Sequence, residues 1–199
     1  NCLIYMKKRF YEAFTLVEML IVMGILIILM VIGITAGRFA INRANDVAHQ
    51  NAADQIYQGL QAYYTDNRVF PPEQLISNLV GNPGACTQEQ NLLCDYMDSG
   101  SFKGGTEATY HYFVDDDANG QSVLVCVTLG GLGDARHRGI YCTGNGFGDA
   151  NLSIGVSESA SNLTSKDIPY DEENSIYSTI SGVDGADWNG NSWDSTTTP

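Results

Sequence analysis

KKRFYEAFTLVEMLIVMGILIILMVIGITAG, Lys7 to Gly37, decides the fold. Its centre, Met19 to Ala36, carries no charged residue and is apolar apart from Gly24, Gly33 and Thr35. At about 1.5 Å of helix rise per residue it covers roughly 27 Å, close to the hydrocarbon thickness of a bilayer. The run is therefore expected to cross a membrane or an equally dry interior. One carboxylate, Glu18, stands at its mouth, and Lys7, Lys8 and Arg9 cluster ahead of it. A charge at mid-bilayer costs about 2.5 to 3.5 kcal/mol on insertion scales, and less near the interface. Glu18 thus calls for a role.

Outward from this run, composition bounds the rest. The chain has 199 residues and a formal charge of -13, with three of its ten basic residues but only one of its 23 acids in residues 1–13. That length suits one domain plus a membrane segment. The acidic balance argues against a nucleic-acid partner, because affinity for phosphates rests on Lys and Arg. Cys86, Cys94, Cys126 and Cys142 are an even set in the part expected outside the cytoplasm, which reads as disulfides. Their spacings lack the tight C-x2-C pairs of a zinc site. Of three connectivities, the sequence-local one (Cys86 with Cys94, Cys126 with Cys142) is favoured, since each pair closes a short loop.

After Gly37 the helix is expected to continue as an amphipathic segment over 38–66. Ile41, Ala44, Ala48, Ala52, Ile56, Leu60 and Tyr63 step by three or four, with Arg43, Asp46, Gln50, Asp54, Gln58 and Gln61 opposite. Phe70-Pro71-Pro72 ends it, because proline lacks an N–H and disfavours helical geometry in the residue before it. YHYFV (110–114) and SVLVCVTL (122–129) read as strands of an antiparallel hairpin, with Val123, Val125, Val127 and Leu129 on one face and Asn119-Gly120 at the turn. GIYCT (139–143) is the expected third strand. The valine face is expected to pack on the helix, with Cys126 on the other face in reach of Cys142. Residues 67–150 thus form a β-head with a loop, and 151–199 read as an acidic, Ser/Gly/Asn-rich extension in which IYSTI (176–180) is the one strand-like patch. The end, GVDGADWNGNSWDSTTTP, has too few apolar residues to carry a core and reads as a surface extension or tail.

The basic cluster, Phe14-Thr15-Leu16-Val17-Glu18 and the apolar run coincide as they do in type IV pilins and type II secretion pseudopilins, and the chain resembles that family. YYTDNRVFPPEQL (63–75) is a second point of likeness, at the expected distance. The resemblance implies the pilin fold, an α+β architecture in which a long N-terminal helix packs on a small antiparallel sheet. It implies a leader over residues 1–13, with Met6 as the expected start and 1–5 set aside, and a transmembrane and filament-core helix over 14–37. Prepilin peptidase would cut between Ala13 and Phe14, with N-methylation of Phe14; Ala13 stands where the family usually has Gly. Glu18 would be the assembly residue. The implied partners are other copies or other pilins, the peptidase and an inner-membrane assembly platform. The implied path runs from single-pass cytoplasmic membrane protein, head outside, to a surface or periplasmic filament. No catalytic activity is implied.

Two weaker constellations stand beside this reading. Asp115, Asp117, Asn119 and Gly120 match the first half of a calcium loop, D-x-D-x-N-G, but its twelfth position is Cys126 and strands flank it. A hairpin turn accounts for the same residues, with calcium as the alternative. A late set, Asp184, Asp187, Asn189, Asn191 and Asp194, is a second calcium candidate. His49, His111 and His137 lack the neighbours of a triad or metal site, and core-satisfied or solvated histidine is the expectation. The rival function is a binding or enzymatic domain on a plain signal anchor, and a further one is a secreted protein cut near Thr35-Ala36-Gly37.

Overall fold

Helix α1 (Leu16–Asn67) begins where the sequence supplies a cap. Thr15 accepts the Glu18 N–H on both its carbonyl (3.1 Å) and its hydroxyl (3.2 Å), which satisfies a donor that the first helical turn leaves orphaned. The computed structural model describes residues 15–82, 84, 91–98, 100, 102, 104–115, 120–131, 138–155, 158–170 and 175–194. The chain divides into two units, Asn1–Ile41 and Asn42–Pro199.

In the first unit every large apolar side chain from Leu16 to Ile34 is at least 47 % exposed. Thr35 turns its hydroxyl back onto the carbonyls of Val31 (3.3 Å) and Ile32 (2.9 Å), so even this polar group is satisfied within the helix. Among the described residues this is the one helix long and apolar enough to cross a membrane.

The second unit is an α+β head. The helix stops at Asn67 because Arg68 takes a left-handed conformation (φ 64°) and returns its N–H to Tyr64 O at 2.8 Å, after which the prolines follow. A short helix α2 (Ile76–Val80) lies in the connection. Strands β1 (Ala108–Val114), β2 (Val123–Leu129) and β3 (Gly139–Gly144) form an antiparallel meander. Gly139 and Gly144 bound β3 with positive φ, and a side chain at either would strike a neighbouring carbonyl, that of Ile168 or Val123. Val123, Val125, Val127 and Leu129 share one apolar cluster with Ala52, Ala53, Ile56 and Leu60, as the alternation predicts. Leu124, Cys126, Ile140 and Cys142 face the other way.

That second face corrects the expectation for the C-terminal residues. Leu152, Ile154, Leu163, Ile168, Tyr177 and Ile180 bury it, so the segment expected as a surface extension is the second cover of the sheet. IYSTI is not a strand: α3 (Ser175–Ser181) is helical. Tyr177 and Ile180 are buried, Ile176 is half-buried and Ser178 is exposed, and this period near 3.6 outweighs the β-branched composition. The end is not a tail either. β4 (Asp167–Ile168) flanks β3, while β5 (Ala186–Trp188) pairs with β1 and then with β6 (Trp193–Asp194). Among the described residues the sheet order is β4-β3-β2-β1-β5-β6. The polar run between the tryptophans is the turn that lets them meet: Asn189 Oδ1 accepts the N–H groups of Asn191 and Ser192, both at 3.0 Å, and Gly190 has φ 91°. Trp188 and Trp193 then close on Phe102 and Tyr110, with ring centroids 4.8 to 5.3 Å apart for Phe102–Trp188, Phe102–Trp193, Tyr110–Trp193 and Trp188–Trp193.

Candidate functional site

Glu18 is the acidic residue of the first turn of α1, three positions after Thr15. Thr-x-x-Glu is the pattern of a capping box, in which the third helical residue supports the cap, and a carboxylate there also suits the positive end of the helix. The Glu18 backbone completes the Thr15 cap, and its carboxylate stands at the mouth of an exposed, uncharged apolar surface. Ala13 and Phe14 lie outside the described residues.

Cys126 and Cys142 sit opposite each other across β2 and β3 and are joined by a disulfide with S–S 2.05 Å, both fully buried. Cys94 is also disulfide-bonded, and Cys86 lies outside the described residues. Of the calcium residues, Asp117 and Asn119 lie outside them too. Asp115 continues the hairpin, its N–H donating to Ser122 O at 2.9 Å. Of the late set, Asp187 and Asp194 lie in β5 and β6: Asp187 is buried and accepts the Thr109 hydroxyl at 2.7 Å, with Asp194 across from it, while Asn189 and Asn191 form the turn between the two strands. Among the described residues no three His, Cys, Asp or Glu side chains converge as a metal site.

The structure brings together a group that the sequence reading separated. Asp46, expected on the water side of the helix, is 3 % exposed and faces the sheet. Arg138, just before β3, grips it through Nε (2.6 Å to Oδ2) and Nη2 (2.7 Å to Oδ1). One turn on, His49 is buried with Nδ1 2.9 Å from the Tyr110 hydroxyl. Burial pushes His49 down to about 4, against the opposing pull of Asp46, and burial likewise raises Tyr110. Ile41 and Ala44, expected in the buried stripe, are exposed, and Ala48 is half-buried. The buried line is 46, 49, 52, 53, 56, 59 and 60. The signal was present in the spacing of Asp46, His49, Ala53, Ile56 and Leu60, but a hydropathy reading assigns a carboxylate to solvent. His111 is buried in β1, and burial lowers it to about 4 against the opposing pull of the Asp184 backbone. These groups form a charged and polar lock between helix and sheet.

No family model, curated protein or solved structure matches this chain. What the architecture defines is a class: one helix of membrane length and composition, continuing into a small disulfide-stapled β-sheet head.

Proposed function

We propose that this chain is a structural subunit of the type IV pilin and type II secretion pseudopilin class, held in the membrane by Met19–Ala36 before it assembles. The supporting observation is the single carboxylate Glu18 at the mouth of an uncharged run whose large apolar side chains, to Ile34, are all exposed. Cutting between Ala13 and Phe14 creates an α-amine four residues before Glu18, and N-methylation preserves its charge. When subunits stagger along a filament, the amine of one meets the Glu18 of its neighbour in a dry layer. Wrong registers leave both charges unpaired, which is strongly unfavourable. Prepilin peptidase and a membrane assembly platform are the partners this reading requires.

The Thr15-x-x-Glu18 spacing at the helix start favours a second reading, a signal-anchored extracytoplasmic domain in which Glu18 serves only the positive end of the helix. Two substitutions separate them. Glutamine serves a capping box as well as glutamate does, so Glu18→Gln leaves an anchored domain unchanged. In a filament subunit both Glu18→Gln and Glu18→Val insert and are cut, yet yield few or no filaments by electron microscopy when no other subunit is present. Normal filaments with Glu18→Gln, or a mature N-terminus other than Phe14 by mass spectrometry, would sink the filament reading.

A further inference from the structure

The far end of α1 carries a second candidate site, independent of assembly. A groove of about 400 Å³ opens between the last turns of the helix, the β1–β2 hairpin and the residue after β3. Tyr57, Gln61, Tyr64 and Thr65 line it from the helix, at the i, i+4, i+7, i+8 spacing that puts them on one face. Phe70 forms its base, buried, with its ring 4.7 Å from that of Tyr64 and tilted by 31°. Tyr57 and Tyr64 are half-buried: each packs on the core while part of it remains open. They are seven residues apart, about 10.5 Å along the axis. Gln121 and Asn145 make the opposite rim, which is fixed: Asn145 Oδ1 accepts the Val123 N–H at 3.0 Å and its Nδ2 donates to Gln121 O at 2.8 Å.

We propose that this groove binds a neutral saccharide, with Tyr57 as the platform for one sugar ring, the Tyr64–Phe70 pair bounding the far end, and the amides of Gln61 and Gln121 on the hydroxyls. Among the described residues the lining contains no Asp, Glu, Lys or Arg. An anion would meet no cation there, on a chain of net charge -13, and a cation would find no carboxylate. A wholly apolar ligand would cover the amides without giving them partners, which is costly. A proline-rich segment could lie on the rings, but it offers carbonyl acceptors and few donors, leaving the glutamine carbonyls unpaired. A pyranose ring has an apolar C–H face and an edge of hydroxyls that both donate and accept. The volume falls in the range of small-molecule sites, and the mix of aromatic walls with a few polar groups is theirs.

The test is saturation-transfer NMR on the full chain in dodecylphosphocholine micelles, chosen because the headgroup is not a sugar. Cellobiose, maltose and diacetylchitobiose are the probes, with decaproline as the competing class. Irradiating the aromatic protons transfers signal to the ring C–H groups of at least one disaccharide. Tyr57→Ala abolishes the transfer, and Gln61→Ala, an exposed change that leaves the fold intact, weakens binding at least tenfold. Gln58→Ala, the exposed neighbour outside the groove, changes nothing. Absence of transfer to all three sugars at millimolar concentration overturns the proposal. So does equal loss in Gln58→Ala and Gln61→Ala, or binding of decaproline in place of the sugars.

Discussion

Replacing Trp193 with alanine removes an indole that is 7 % exposed and touches Phe102, Tyr110 and Trp188. Truncating a buried Trp costs about 3 to 5 kcal/mol, and aromatic pairs add about 0.5 to 1.5 kcal/mol each beyond area. Two features pull the expected value toward the lower end. The indole Nε1 has no partner among the described residues, so no side-chain hydrogen bond is lost, and β6 lies at the sheet edge, where the cavity can collapse. About 3 kcal/mol is the result, or roughly 6 to 12 °C in melting temperature for a head of this size. The chain has two tryptophans, both in this cluster, so the fluorescence of Trp188 alone reports the variant's unfolding in urea. Trp193→Phe retains most of the stability. A change under about 0.5 kcal/mol for Trp193→Ala, the scale of a surface substitution, would mean that the C-terminal hairpin is the loose tail its composition suggests.

The remaining predictions concern the staple, the lock and the buried histidines. Replacing Cys126 and Cys142 together by alanine reopens a 16-residue separation and lowers stability by about 3 kcal/mol in denaturant titrations; an unchanged midpoint would show that the disulfide constrains nothing. Arg138→Ala destabilises by roughly 1 to 3 kcal/mol, and more than Asp46→Ala does, because it strands a buried carboxylate, whereas the reverse change frees a partly exposed guanidinium to water; equal costs by calorimetry would contradict that asymmetry. His49 and His111 each sit near 4 in the folded head against 6.5 unfolded, so the unfolded chain takes up protons first as acid is added. Stability is full above pH 6.5 and falls between 6.5 and about 4, by up to about 1.4 kcal/mol per pH unit per histidine. His49→Gln with His111→Gln flattens the urea midpoint over that window, and an unaltered slope would remove the histidines from the account.

The parts of this fold legible in the sequence are those in which one period dominates. Met19–Ala36 reads as a membrane-length helix because nothing polar interrupts it except a threonine that bonds to its own backbone. The Val123–Leu129 alternation gives both the face that meets the helix and the opposite face that carries Cys126. Elsewhere the pattern depends on partners distant in the chain. Asp46 looks solvated until Arg138, more than ninety residues later, supplies its counter-charge. IYSTI has strand composition but a helical period. Trp188 and Trp193 look like isolated aromatics in polar sequence, and their burial follows only once the Asn189–Ser192 turn sets them side by side. The Thr15–Glu18 contact shows the other kind of ambiguity: one residue satisfies a local rule and an assembly hypothesis at once, and spacing alone does not choose between them.

The strand order also fixes a timetable for the chain as it emerges. β1, β2 and β3 leave the ribosome or a membrane channel consecutively and can pair at once, but both flanks of the sheet belong to the last part to arrive. Until Ala186–Trp188 follows, the outer edge of β1 is a row of unpaired backbone groups, open to another strand. A nascent head is therefore most vulnerable to mispairing late in its delivery, when its centre is already formed. A proteolytic cut between Ile168 and Ala186 that sheds the C-terminal fragment would return a finished molecule to that state, with β1 bared to recruit a second chain.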